Sequence, residues 1–193
     1  MDKLLACATA FHNLLDVEYR IVLGRKNQLT ELHIRFEAVH FHHLMGLGKL
    51  KDLQVATRNR SQIFGEILSG SFSYRDIAIS DFVGQIENRF SPLSQIETVF
   101  DNNNLVFRYN ERLHSFSMIQ ADFLLSTPID GNDIYVFLVK NDNDENYFCR
   151  SFFPKETTDY TVGQTKYALL YKEKIKLSTG EKEIQYDRLN KDK

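Results

Sequence analysis

The sequence predicts an α+β protein in which N-terminal and central helices pack on an antiparallel β-sheet. Three observations lead there. Apolar residues recur at helical spacing in several stretches before residue 102. Beyond Asn102-Asn103-Asn104 they turn to alternating or continuous apolar runs, as strands require. Those runs are divided by tight-turn residues, notably Asp130-Gly131-Asn132 and Thr179-Gly180. Helices followed by hairpin-connected strands are the mark of the α+β class.

Leu4, Leu5, Ala8, Phe11 and Leu15 fall on one helical face. An acid at Asp2 and the polar pair His12-Asn13 make this opening an amphipathic helix, not a secretory signal. Tyr19 to Leu23 and Leu32 to Phe36 read as short strands joined by a hairpin turn within Gly24 to Leu29. Helical spacing resumes at Ile63, Phe64, Ile67 and Leu68 and stops at Gly70. Ser80 is placed to cap a helix carrying Phe82, Val83, Ile86 and Phe90, and Ser91-Pro92 to start another carrying Leu93, Ile96, Val99 and Phe100. The strand candidates that follow are Leu105 to Tyr109, Ser117 to Leu125, Asp133 to Lys140, Tyr147 to Phe153, Tyr167 to Ile175 and Glu183 to Leu189. A single domain over 1–189 is expected, with a central helical region at about 58–102 and a frayed tail at 190–193.

The net charge of −2 and pI near 6.3 exclude a broad, non-specific nucleic-acid binder, which carries a basic excess. The charge is nevertheless uneven. Residues 19–60 carry Arg20, Arg25, Lys26, Arg35, Lys49, Lys51, Arg58 and Arg60 against Glu31, Glu37 and Asp52. A local basic face on a neutral protein fits that distribution. No apolar run approaches the roughly 20 residues that span a bilayer, so no membrane partner is expected. Cys7 and Cys149 are far apart and form no CxxC pair, which fits a reduced, cytoplasmic protein.

Three of the six histidines sit in His40-Phe41-His42-His43-Leu44-Met45-Gly46-Leu47-Gly48-Lys49-Leu50. Imidazole transfers protons near neutral pH or binds a metal. In a helix His40 and His43 share a face at i and i+3; in a strand His40 and His42 do. A zinc site needs a third ligand, for which His33, Glu37 and His114 are candidates, yet no HExxH-type spacing is present. Gly46 and Gly48 lack the Walker spacing, and Leu50 follows Lys49 where a P-loop needs Ser or Thr. The plain structural use of these histidines is to pin the junction by hydrogen bonds. His114, Ser80 and Ser126 have no nucleophile elbow around them. Arg108, Arg150 and Lys172 sit in strands, where each is either a surface cation or a phosphate ligand. The strand tyrosines are either core or stacking platforms.

The stretch from Phe36 and His40 through Lys49-Leu50, with Ile63-Phe64, Ile79-Ser80, Ile119-Gln120-Ala121-Asp122 and Tyr147-Phe148…Ser151-Phe152-Phe153, resembles the fourth phage-associated family of barnase, EndoU, colicin E5/D and RelE-like nucleases. The most specific element is Phe41-His42-His43-Leu44-Met45-Gly46-Leu47 with Lys49 after it, and the similarity runs along nearly the whole chain. The resemblance implies N-terminal helices followed by a four-stranded antiparallel sheet, and metal-independent RNA cleavage through the RNA's own 2′-hydroxyl. It implies no cofactor. Its partners would be RNA, such as tRNA or ribosomal RNA, and an antitoxin or immunity protein in phage or mobile-element conflict. On this reading His43 and His40 are the acid and base, His43 first because it matches the family element. Lys49, Arg108, Arg150 and Lys172 are then candidates to hold phosphate, with Lys49 nearest the histidines in sequence. The competing readings are a non-catalytic RNA- or protein-binding module of the same descent and a metal-dependent hydrolase.

Overall fold

The computed structural model describes residues 2–142 and 144–190; the expected fraying at 191–193 lies outside the described residues. The chain runs α1 (Lys3–Asn13), β1 (Val17–Arg25), β2 (Gln28–Arg35), α2 (Ala38–Met45), α3 (Arg60–Leu68), α4 (Tyr74–Ile77), α5 (Phe90–Ser94), α6 (Ile96–Asp101), β3 (Leu105–Arg108), β4 (Phe123–Ile129), β5 (Asn132–Lys140), β6 (Asn146–Pro154), β7 (Thr165–Lys176) and β8 (Lys182–Asp187).

The sheet order is β1-β2-β6-β5-β4-β3-β7-β8, and β1 also pairs with β7. Seven strands therefore close on themselves as a barrel, and β8 hangs outside on β7. This overturns the expected helices on an open antiparallel sheet, whether four-stranded or larger. The helices are few and short, and the sheet is mixed. Two long-range pairings make the difference. β1 runs antiparallel to β7 from Val17↔Lys176 to Gly24↔Ala168. β2 runs parallel to β6 at His33↔Asn146 and Ile34↔Tyr147. Closure satisfies the backbone groups that an open sheet leaves at its edges.

Local chemistry sets the hairpins. β1 and β2 meet at Lys26-Asn27, both with positive φ (48° and 63°), and β4 and β5 at Asp130-Gly131 (49° and 81°). Two positive-φ residues in a row are the two-residue turn whose twist matches paired strands. Strand parity then divides the apolar side chains. Tyr19, Ile21, Ile34, Leu125 and Val136 join Phe11, Phe41, Phe64 and Phe100 of the helices in the main core. Opposite-facing Phe107, Leu124, Tyr135 and Phe137 form a second cluster with Tyr109.

Three elements differ locally from expectation, the first being the helix expected from Ser91-Pro92, which starts at Phe90 after Arg89 and breaks at Gln95 into α5 and α6. The Ser80–Phe90 stretch is a pair of 3₁₀ turns, not a helix. Its amides at Val83, Ile86 and Arg89 bond three residues back, and the Ser80 hydroxyl is tied to Asp52 at 2.5 Å. The Ser117–Leu125 strand begins only at Phe123, leaving 115–121 as an irregular segment.

Candidate active site

The histidine run folds as a helix because Glu37 starts it from an extended conformation and His40 caps it, its Nδ1 accepting the Glu37 amide at 3.3 Å. Gly46 ends it in the left-handed region at φ 82°, with its N–H donating to the carbonyls of His42 and His43. A Cβ at Gly46 would lie 2.9 Å from Ile86 Cγ2 and 3.3 Å from Arg89 Nε. Gly46→Ala is therefore expected to cost at least about 1–2 kcal/mol from the backbone alone. Urea denaturation reads that loss, and a stability equal to the parent would show that this turn tolerates a side chain.

Helical spacing sends the three imidazoles to three environments. His40 is half-buried, stacked on Phe148 at 4.8 Å with ring planes 9° apart. Burial lowers its pKa. His42 is buried, and its Nε2 donates to the Val55 carbonyl at 2.8 Å, which ties α2 to the loop after it. The His43 side chain is exposed, with no hydrogen-bond partner among the described residues. It opens into a cleft of about 820 Å³ with Lys49, Arg60, Arg89, Glu156 and Tyr160. Although its side chain reaches solvent, the surrounding cleft partly desolvates it, and this, then the charges of Arg150, Arg60 and Arg89, pushes the His43 pKa below the ordinary histidine value. A neutral imidazole among cations is suited to accept a proton.

Arg89 is the most firmly held cation. Its Nη1 donates to the carbonyls of Leu44 at 2.8 Å and Phe152 at 3.0 Å, bridging α2 and β6. Its guanidinium lies 5.8 Å from the Phe153 ring centre. Lys49 reaches the Gln85 carbonyl at 3.4 Å. Burial and then Arg89 lower its pKa, while Glu156 opposes the shift. Glu156 itself accepts a hydrogen bond from Asn88.

Of the residues singled out by the sequence, the cleft gathers His42, His43 and Lys49, with Arg150 nearby on β6 and exposed, the cation that weighs most on His43. His40 faces Phe148 instead. Arg108 lies elsewhere, paired with Asp122 at 3.1 Å and set over the Phe123 ring. Lys172 is fully buried, its ammonium donating to the carbonyls of Phe100 and Asn102 and to Asn104 Oδ1. Arg89, Glu156 and Tyr160 were not anticipated. Arg60 belonged to the basic stretch, but nothing near Arg89 in sequence distinguishes it from a surface arginine.

Among the described residues no group of three or more His, Cys, Asp or Glu side chains is placed to hold a metal ion, and no helix is long and apolar enough to cross a membrane. Both cysteines are buried and unpaired, and burial raises their pKa values, that of Cys7 to about 12. Comparison with curated proteins and with solved structures returns no match. The family model described as phage-Barnase-EndoU-ColicinE5/D-RelE like nuclease4 matches residues 3–189. The chain belongs to that nuclease family, and a nucleic acid is the substrate class the membership implies.

Proposed function

We propose that this chain is a metal-independent endoribonuclease that turns the 2′-hydroxyl of RNA against the adjacent phosphate. The observation that carries the reading is one cleft in which the exposed His43 imidazole stands beside Lys49, Arg60 and Arg89, while the second lining imidazole, His42, is committed to the Val55 carbonyl. His43, kept neutral by burial and its cationic neighbours, takes the 2′-hydroxyl proton as the oxygen forms its bond to phosphorus. Lys49 gives a proton to the 5′-oxygen as the P–O5′ bond breaks, leaving a 2′,3′-cyclic phosphate and a 5′-hydroxyl. Arg60 and Arg89 neutralise the phosphorane between them. Glu156, whose charge favours the protonated forms of Lys49 and Arg89, opposes the downward shift that burial imposes on both. His40 has no part in this mechanism. A phage or mobile-element setting, a cytoplasmic location and control by an antitoxin or immunity protein accompany the reading.

Assigning His43 as base and Lys49 as acid fixes the pH profile. Activity should rise with pH as His43 loses its proton, with the acid limb below the ordinary histidine value of about 6.5. It should fall again as Lys49 deprotonates, below the ordinary lysine value of about 10.4. Lys49→Arg should displace the alkaline limb upward and leave the acid limb in place. Cleavage of total RNA across pH 4–10, with and without EDTA and with end-group analysis against a protein-free control, tests this. Intact RNA throughout would favour a non-catalytic binding module, and activity lost only with EDTA would favour a metal-dependent hydrolase.

A further inference from the structure

Part of the lining of the same cleft has a different chemistry from its cations. Ser117, Met118 and Ile119 of the irregular 115–121 segment line it together with Phe153 and Tyr160. Met118 is 97 % exposed and neighbouring Phe116 69 %, the latter edge-on to the His114 ring at 5.9 Å. The wall is backed by a ring cluster. Tyr160 packs on Phe153 at 5.8 Å, on Phe137 at 5.5 Å and on His114 at 5.0 Å. The His114 ring is 7 % exposed, and its Nε2 is buried without a hydrogen-bond partner among the described residues. Unused polar capacity of that kind is rare in a folded interior.

A nucleotide is the ligand whose two ends match the two walls. Its phosphate is a compact anion, and its base is a flat ring with apolar faces and polar edges, joined to the phosphate by one sugar. A polyphosphate or an acidic peptide would use the cations and leave Met118 and Tyr160 bare. We propose that Met118 and Tyr160, with Ser117 at their edge, form a subsite for the unpaired base next to the phosphate held by Lys49, Arg60 and Arg89. Base–aromatic stacking and sulfur–aromatic contact supply the attraction. The subsite confines the enzyme to single-stranded or unstacked segments, because a base inside a duplex cannot reach it. The inference rests on the phosphate-binding reading of the cationic wall.

The test measures binding of the full chain to a single-stranded 2′-O-methyl oligonucleotide, which lacks the attacking hydroxyl, and to inorganic polyphosphate of matched charge. The parent should bind the oligonucleotide at least about tenfold more tightly than polyphosphate. Met118→Ala, a fully exposed position whose replacement leaves the fold alone, should weaken oligonucleotide binding by about five- to tenfold and polyphosphate binding by less than twofold. Tyr160→Leu should act in the same direction, with its melting curve recorded because Tyr160 also packs on Phe137. A Met118→Ala protein that binds the oligonucleotide like the parent overturns the subsite and leaves this face to a protein partner. Equal weakening towards both probes overturns it too. If the parent binds both probes equally, the subsite falls and the cationic wall stands. If it binds neither, the phosphate reading falls with it.

Discussion

Replacing His43 by alanine is expected to lower RNA cleavage by roughly 10²–10⁴-fold, the usual contribution of a positioned proton-transfer group. The melting transition should hardly move. The His43 side chain is exposed and makes no hydrogen bond among the described residues, so alanine strands no polar group and takes little from the packing. Surface changes of that kind usually fall within about 0.5 kcal/mol. The neighbouring histidines supply the contrast. His42→Ala takes away the bond to the Val55 carbonyl and opens a buried space, so it should destabilise the fold as well as the cleft. His40→Ala loses a stacked ring on Phe148 and should leave turnover close to that of the parent. Cleavage rates and thermal melts on the three variants check this pattern. A His43→Ala protein with parental activity would remove that imidazole from the chemistry.

The three histidines also show where reading the sequence succeeds. Their residue types announced proton transfer, but only the helical phase separates them, and that phase depends on Glu37 and Gly46 at the two ends of α2. Before the helix was fixed, His40 paired with His43 as plausibly as with His42. Strand positions were legible because alternation and turn residues are local signals, and six of the eight strands follow the runs marked after residue 102 closely or in part. Closure was not legible. The pairings of β1 with β7 and β2 with β6 join segments more than a hundred residues apart, and nothing in a strand's own pattern names its neighbour. The strand pattern also failed over 117–121, which has no ladder partners among the described residues, and Ser117, Met118 and Ile119 instead line the cleft. Arg89 was invisible for a related reason: its value lies in carbonyls on α2 and β6 that reach it only in the folded chain.

Lys172 is the clearest case of a charge whose role reverses on folding. As a strand lysine it was a candidate phosphate ligand, yet its ammonium is enclosed by three oxygens and has no exposed surface. Lys172→Met is therefore expected to leave RNA affinity unchanged and to unfold the protein more easily. Methionine fills much of the volume but leaves the Phe100 and Asn102 carbonyls and the Asn104 amide oxygen without their donor. With about 1–3 kcal/mol per stranded buried acceptor, the loss should reach at least about 3 kcal/mol. For a chain of this size that corresponds to a fall of roughly 10 °C in Tm. The pH dependence has a definite sign. Burial pulls the Lys172 pKa down to about 8 in the folded chain, below its unfolded value near 10.4. Between those values the unfolded chain binds more protons, so the parent gains stability from this group as pH rises from about 8 to 10. The variant lacks the group, and the stability gap between the two should widen over that interval. Denaturant titrations at pH 7 and pH 9.5 measure it. A constant gap would mean that Lys172 keeps its ordinary pKa inside the fold, and weakened RNA binding by a folded Lys172→Met protein would restore it as a phosphate ligand.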